Sequence, residues 1–301
     1  MNPKHIILTL LLMLCPISMA AQNTITRNKP KPAVTKPKPA AKPKPKAKTK
    51  PAPRRNNTSH SGSTSSTVNL SAELNKLINN MVYVSGGTFT MGDTSEQGSD
   101  ADNDEKPTHS ATLSSYYICK YEVTQALWRA VMGSNPSNFR GDNLPVESVS
   151  WNDCQTFISR LNSYTGRNFR LPTEAEWEFA ARGGNYSRHY KYSGSNHIGD
   201  VAWYDTTNSG NRTHPVGTKQ PNELGLYDMS GNVWEWCSDW YGSYSSYSQS
   251  NPTGPNSGSC RVNRGGSGFN GARRCRSSNR DFSAPGIRYY CLGLRLVLSQ
   301  L

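Results

Sequence analysis

Three stretches of the chain set apolar and aromatic residues at helical spacing between a hydroxyl residue at the start and glycine at the end. Thr124 precedes a run to Met132 that stops at Gly133. Ser150, with Asp153 three residues on, opens a second run that stops at Gly166, and Thr173 with Glu176 opens a third, stopped by Gly183-Gly184. A hydroxyl at such a position takes up a free N–H of the first turn, and an acid three residues later can return the bond. Glycine then accepts the left-handed backbone that ends a helix. The spacing predicts three helices, with Trp128, Trp151, Trp177 and Phe179 packed in the core. Met81 to Met91 alternates apolar and small residues around Gly86-Gly87, which predicts an opening strand and turn.

The segment from Asp93 to Glu105 carries six acids and reads as a loop. Its Asp100-x-Asp102-x-Asp104 spacing lacks the glycine and closing glutamate of a calcium-binding loop, so a solvated acidic loop is expected. From Asn185 onward the chain is rich in Gly, Asn, Ser and Tyr, which predicts short strands joined by long loops. Within it, Asn222 to Trp236 is an apolar and aromatic run broken by Gly225 and Gly231, too irregular for an amphipathic helix. Asp228 and Glu235 supply hard oxygen ligands there, and a glycine-bent backbone can aim carbonyls at the same point, which suits calcium. The competing account is that these acids pair with arginines or cap a turn.

Composition divides the chain. It carries 34 Lys and Arg against 21 Asp and Glu, a net charge of +13. Residues 1–72 hold 13 of the basic residues and no acid, which leaves 21 of each sign for the remainder. The basic character belongs to the N-terminal segment, so it is no sign of nucleic-acid binding by the neutral globular part. Residues 1–20 read as a secretory signal peptide: Lys4 and His5, then apolar Ile6 to Ile17, then Ser18-Met19-Ala20. The apolar run falls short of the ~20 residues that span a bilayer, so no transmembrane segment is expected after cleavage. Cys15 follows Leu12-Met13-Leu14, which lacks the small residue of a lipidation site. Residues 21–72 alternate Lys and Pro and then turn to Ser and Thr, the composition of an extended linker. Its charge could also hold anionic envelope polymers. Residues 73–301 are expected to form one domain in an exported protein, in the periplasm, at the cell surface or secreted. Once Cys15 is removed, six cysteines remain: Cys119, Cys154, Cys237, Cys260, Cys275 and Cys291. An even number in an oxidising compartment favours disulfides.

An ordered set of motifs spans residues 81 to 298: Gly86-Gly87-Thr88-Phe89-Thr90-Met91-Gly92, Tyr121-Glu122-Val123-Thr124-Gln125, Pro145 to Trp151, Phe169 to Glu178, Asn222 to Trp236, Arg264 to Ser267 and Gly293-Leu294-Arg295. In this the chain resembles the formylglycine-generating-enzyme family, the sulfatase-modifying factors. The resemblance implies an α+β protein with the family's variant of the C-type lectin fold, loop-rich with few short helices and strands. It also implies calcium ligands at Asp228, Gly231, Val233 and Glu235, the glycine and valine through their carbonyls.

Active members of that family follow a Gly-Gly-Ser with two cysteines, separated by four residues, that bind one Cu(I). Thiolate is the soft ligand that this ion selects. Counting forward from Ser267, Asn270 stands at the first cysteine position and Cys275 at the second. Counting back from Arg280 and Pro285, the segment is about three residues short and Cys275 matches neither. Both counts lose the pair. Ser267 and Cys275 are thus the catalytic candidates of an oxidase that converts a sulfatase cysteine to formylglycine, yet copper is not expected, and Cys275 reads as structural. The histidines sit without metal-ligand spacing.

Residues 261–295 contain no Lys, Glu, Gln, Met or Trp. Phe269, Asn270, Gly271, Arg274, Asp281, Phe282, Ser283, Ile287, Tyr289, Tyr290 and Cys291 are all asparagine or reachable from an Asn codon by changes at adenine alone. That is the pattern of a diversity-generating retroelement, whose targets often use this fold to display variable residues; drift in an Asn-rich loop is the plain alternative. Tyr, Ser, Gly, Asn and Arg are also residues of adaptable binding surfaces. Between them, Arg264 to Ser267, Cys275-Arg276, Arg280 and Leu292 to Arg295 read as scaffold. The expected function is non-catalytic binding of a protein or glycan ligand through this segment, with the formylglycine-generating oxidase and a structural envelope component as alternatives.

Overall fold

The caps read in the sequence set the helices of the computed structural model, which describes residues 69–299. Helix α2 (Gln125–Met132) begins where Thr124 accepts the Leu127 N–H and ends at left-handed Gly133. Helix α3 (Trp151–Thr165) opens on a reciprocal Ser150–Asp153 capping box and ends at left-handed Gly166. Helix α4 (Glu174–Ala181) opens on the Thr173–Glu176 box, and every one of its residues is buried. A further helix, α1 (Leu70–Asn79), is capped by Asn69 and packs Leu77 into the core, with Leu70 and Leu74 against it. It runs through residue 73, so part of the segment assigned to the linker is folded. The expected signal peptide and residues 21–68 lie outside the described residues.

The opening apolar stretch gives two strands in different sheets. Strand β1 (Met81–Val84) pairs antiparallel with β4 (Tyr116–Cys119), while β2 (Gly87–Met91) pairs antiparallel with β3 (His109–Leu113). The first sheet has the order β1-β4-β11-β5, so β11 (Val297–Leu298) is inserted between β4 and β5 (Phe169–Arg170). The second has the order β10-β6-β8-β9, from Leu292–Gly293, Trp234–Trp240, Arg261–Arg264 and Arg280–Ser283. The third adds β7 (Gln249–Ser250) to β3. One apolar cluster joins α1, α2 and α3 to Trp236 and Leu292–Leu298, with the Trp128 and Phe157 rings stacked at 4.7 Å. A second surrounds Trp177 and Phe179 of α4. Residues 292–298 therefore close both the first sheet and the main core.

The cysteine expectation is corrected. Among the described residues, Cys119, Cys154, Cys237, Cys275 and Cys291 are free, the first four buried, and Cys260 is disulfide-bonded. Cys119 and Cys154 fill the first apolar cluster, Cys237 the second and Cys275 a third. They act as small apolar side chains, the usual behaviour of a buried thiol. Among the described residues, no helix is long and apolar enough to cross a membrane.

Candidate functional site

The stretch from β8 to β10 alternates between two environments. Arg264, Gly265, Gly266, Ser267, Cys275, Arg276, Arg280 and Leu292 to Arg295 are all buried. Phe269, Asn270, Gly271, Arg274, Asp281, Phe282, Ser283, Ile287, Tyr289, Tyr290 and Cys291 are all half-buried or exposed. The residues read as scaffold and those read as displayed thus separate by burial without an exception.

Buried ion pairs hold the scaffold positions. The Arg264 guanidinium donates to Glu178 and to the carbonyls of Ser278 and Asn279. Arg276 donates to both oxygens of Glu105, at 2.9 and 2.5 Å, and Arg280 makes a bidentate pair with Glu174 at 2.7 Å. Arg295 donates to Glu235 and to the carbonyls of Cys119 and Tyr227. Burial pushes the Glu105 carboxyl up, but the bonds from Arg276 and Ser278 outweigh it and bring the group down to about 2. Glu174 is likewise held low, burial being outweighed by the charges of Arg280 and Arg264.

These contacts correct the reading of the acidic loop. Asp102 pairs with Arg273 and accepts from Asn279, the Tyr241 hydroxyl donates to Asp104, and Glu105 is fully buried on Arg276. Asp102, Asp104 and Glu105 are, among the described residues, the three acids whose oxygens converge within 4.8 Å. Their partners are cations and donors of the C-terminal segment, so the loop clamps that segment instead of standing in water. The sequence hid this because each partner lies more than 130 residues away.

Above the clamp, aromatic residues form an outward face. The Phe269 and Tyr290 rings meet edge to face at 4.8 Å, and Phe139 stacks on Phe269 at 5.9 Å. Phe282 packs on Tyr241 at 4.2 Å, while Ile287, Tyr289 and Tyr290 are 37%, 40% and 45% exposed. Phe139 belongs to this face but lies in a loop between α2 and α3, and nothing in the local sequence marked it. Ser148, at a left-handed φ of 61°, donates its N–H to the Tyr289 carbonyl and its hydroxyl to buried Glu147. The face is thus anchored to the motif from Pro145 to Trp151.

Asn270 and Cys275 both lie beside Ser267. The Asn270 Oδ1 lies 2.6 Å from Ser267 Oγ and accepts from Trp234 Nε1 at 2.9 Å. Cys275 Sγ is 4.0 Å from the Ser267 carbonyl, fully buried, with its thiol pushed up by that burial to about 12. A Cβ added to Gly266, whose φ is 72°, would lie 2.7 Å from this sulfur. The thiol is therefore a neutral packing group beside a carboxamide. Cys291 is more covered than its neighbours in the displayed set: burial raises its thiol to about 12 against a bond from Ser267.

Of the four metal candidates, the Asp228 and Glu235 carboxylates share a buried polar centre, reached by the Val233 N–H, while Gly231 bonds elsewhere. Both Glu235 oxygens are engaged, by Arg295 and by Trp177 Nε1 at 2.7 Å. Asp228, at a left-handed φ of 59°, accepts from the Gly217 N–H through Oδ2, while its buried Oδ1 has no partner. A third acid, Glu122, accepts from Asn232 and from the Val233 N–H. Burial, with the charges of Asp228 and Glu235, pushes Glu122 well above the usual carboxylate range, and burial raises Asp228 to about 6. The Gly231 N–H bonds the Gly265 carbonyl, which ties this centre to the scaffold of the displayed segment. Three buried acids against one arginine leave negative charge to be balanced by protons or a cation, and the free Asp228 oxygen fits a hard cation.

Comparisons with known proteins agree with this architecture. Residues 67–300 match the family described as Sulfatase-modifying factor enzyme 1-like domain. The formylglycine-generating enzyme of Streptomyces coelicolor is 32% identical over 262 residues, covering 62% of this chain and 77% of that one. Chaperone protein LppX of Paenibacillus barcinonensis is 38% identical over 210 residues, covering 54% and 71%. The solved structure of Treponema denticola variable protein 1 superposes with a TM-score of 0.67 at 34% identity, covering 73% of this chain and 95% of that one.

Proposed function

Because the chain belongs to the family of sulfatase-modifying factor enzyme 1-like domains, where one fold carries more than one activity, we propose that it is an exported, non-catalytic binding protein that presents residues 269–291 to a protein or glycan ligand. The observation that carries this reading is the division of residues 264–295 into buried ion-paired scaffold and an uncovered aromatic face. Large rings that touch mainly one another at a surface are the usual source of binding energy. The solved relative whose name calls it a variable protein supports the idea that these positions vary between copies of the gene.

Catalysis by the family's oxidase route is disfavoured by the pair at Ser267. A carboxamide is a poor ligand for Cu(I), so one sulfur, that of Cys275, stands where the family's route uses two. Purified protein loaded with Cu(I) is expected to yield no aldehyde from a Cys-x-Pro-x-Arg peptide. Product above a no-protein blank overturns the non-catalytic reading. For the display reading, replacing Phe269, Phe282, Tyr289 and Tyr290 together by Ser removes ligand capture while the melting transition stays cooperative. A near-copy of the coding segment beside a reverse transcriptase, differing at adenines alone, is the genomic counterpart.

We further propose that calcium is a structural ion of the centre around Asp228. The unpartnered Asp228 oxygen supports it, whereas Glu235 contributes first as the counter-charge of Arg295. A bound ion stabilises the folded state in proportion to its occupancy. Chelation should lower the melting temperature of the native protein and leave Asp228→Asn unchanged. Equal melting of the native protein with and without chelator rejects the ion.

A further inference from the structure

A cleft of 760 Å³ opens beside β2 and the loop that follows α4, and it shares no residue with the displayed segment or the centre around Asp228. That volume is in the range of sites that take small ligands. Its floor is apolar: the Phe89 and Phe179 rings meet at 5.1 Å, Phe89 being only half-buried. Its walls are unusually rich in hydroxyls, among them Thr90, Ser95, Thr108, Ser110 and Ser187.

The charged groups of the cleft are set by a buried arginine. Arg182, 9% exposed, spends its donors on Glu178, Glu96 Oε1, the Thr94 hydroxyl and the Gly92 carbonyl. Glu96 is held ionised: burial raises it, but bonds and the charges of Arg182 and His189 bring it below the ordinary range. Its Oε1 takes the Arg182 and Thr94 bonds, at 2.6 and 2.7 Å, and its own N–H also bonds the carboxylate, which with about four acceptor sites can still accept from a ligand. Asp93 lies on the same wall with Lys106 at 3.5 Å. With Arg182 consumed, the cleft offers carboxylates and no free guanidinium, which disfavours anionic ligands. His189 stands exposed on the far wall at a left-handed φ of 58°, its N–H bonded to Ser187 Oγ. A non-glycine residue there is unusual and costs backbone energy.

An extended peptide is a poorer match. The Asn185 side chain donates to the Ser85 and Gly86 carbonyls and the Gly92 N–H donates to Glu178, so the chain on either side of β2 is already bonded. What remains is a short edge among hydroxyls. We propose that this cleft is a second binding site, for an uncharged oligosaccharide, whose ring face lies on Phe89 and whose hydroxyls bond Glu96, His189 and the Thr and Ser side chains. The site is independent of the displayed face.

The test is titration of the whole exported chain with neutral hexasaccharides (of glucose, xylose, N-acetylglucosamine and mannose), followed by calorimetry or amide shifts at millimolar ligand. A uronic-acid hexasaccharide and an unstructured neutral peptide serve as comparisons. At least one neutral sugar should bind, and Glu96→Gln should weaken it by ~10-fold or more, since a bond to a charged acceptor is lost. His189→Gly should also weaken binding while keeping or raising the melting temperature, because glycine suits a positive φ. This variant keeps the test informative if Glu96→Gln folds poorly. The quadruple aromatic variant of the displayed face should bind the sugar as the native chain does. Absence of binding by all four sugars, preference for the uronate or the peptide, or binding undiminished in His189→Gly each overturns the proposal.

Discussion

Two arginine–carboxylate pairs of the C-terminal segment look alike in sequence and differ in their surroundings. Arg276 and Glu105 meet with no exposed side-chain surface on either, whereas Arg288 and Asp153 meet at 2.7 Å with 55% and 30% exposed. The first replaces water on every side with Ser278, Gln97 and Asn279. The second remains in solvent, beside the displayed residues. A buried charge has no alternative partner, so its loss is costly, while an exposed one returns to water. On the proposed display reading, the buried pairs hold the scaffold while the neighbouring face is free to change. Such a division permits Phe, Tyr, Arg, Asp or Gly at displayed positions over an unchanged base.

The largest effect should come from removing one partner of the buried pair. Arg276→Ala should lose ~3–5 kcal/mol in denaturant unfolding, because Glu105 is left as an uncompensated charge. The double variant Arg276→Met with Glu105→Leu should recover much of that loss; a double variant as unstable as the single one would show that shape, not charge, holds the clamp.

Acid should distinguish the two regions next. Glu105 is near 2 in the folded protein against an ordinary 4.5, so the stability it contributes is fully present above 4.5 and disappears as pH falls toward 2. Glu105→Gln should flatten the unfolding free energy over that window. Asp239 has the opposite sign: burial, then the Glu174 charge, raises it from 3.8 to about 7. Its contribution is present below 3.8 and is lost as pH rises through 7, so Asp239→Asn should remove a decline in stability between pH 4 and 7. Melting curves across pH check both.

Smaller per side chain should be the cost of the quadruple aromatic replacement, about 1 kcal/mol for each ring, since half-exposed rings lose little packing. A collapse of folding in that variant would return the rings to the core and end the comparison. Least of all, Arg288→Ala should change stability by at most ~1 kcal/mol, discounted for solvent screening. A loss matching that of Arg276→Ala would mean that burial is not what separates the two pairs.

Periodicity and capping chemistry were enough to place α2, α3 and α4 to within a residue, because caps are local and each is decided within four residues. The motif order determined the family and with it the fold class. Helix α1 was missed because its polar turns around Leu70, Leu74 and Leu77 follow directly on a Ser- and Thr-rich stretch. Tertiary structure alone decided the rest. It assigned Arg276 to Glu105 and Arg295 to Glu235, brought Phe139 to the rings of Phe269 and Tyr290 and left Cys119, Cys154, Cys237, Cys275 and Cys291 unpaired. It also separated the role of Glu235 from that of Asp228, which in sequence look equivalent. These outcomes depend on which charges lose their water together, and that is settled only when residues far apart in the chain are packed against each other.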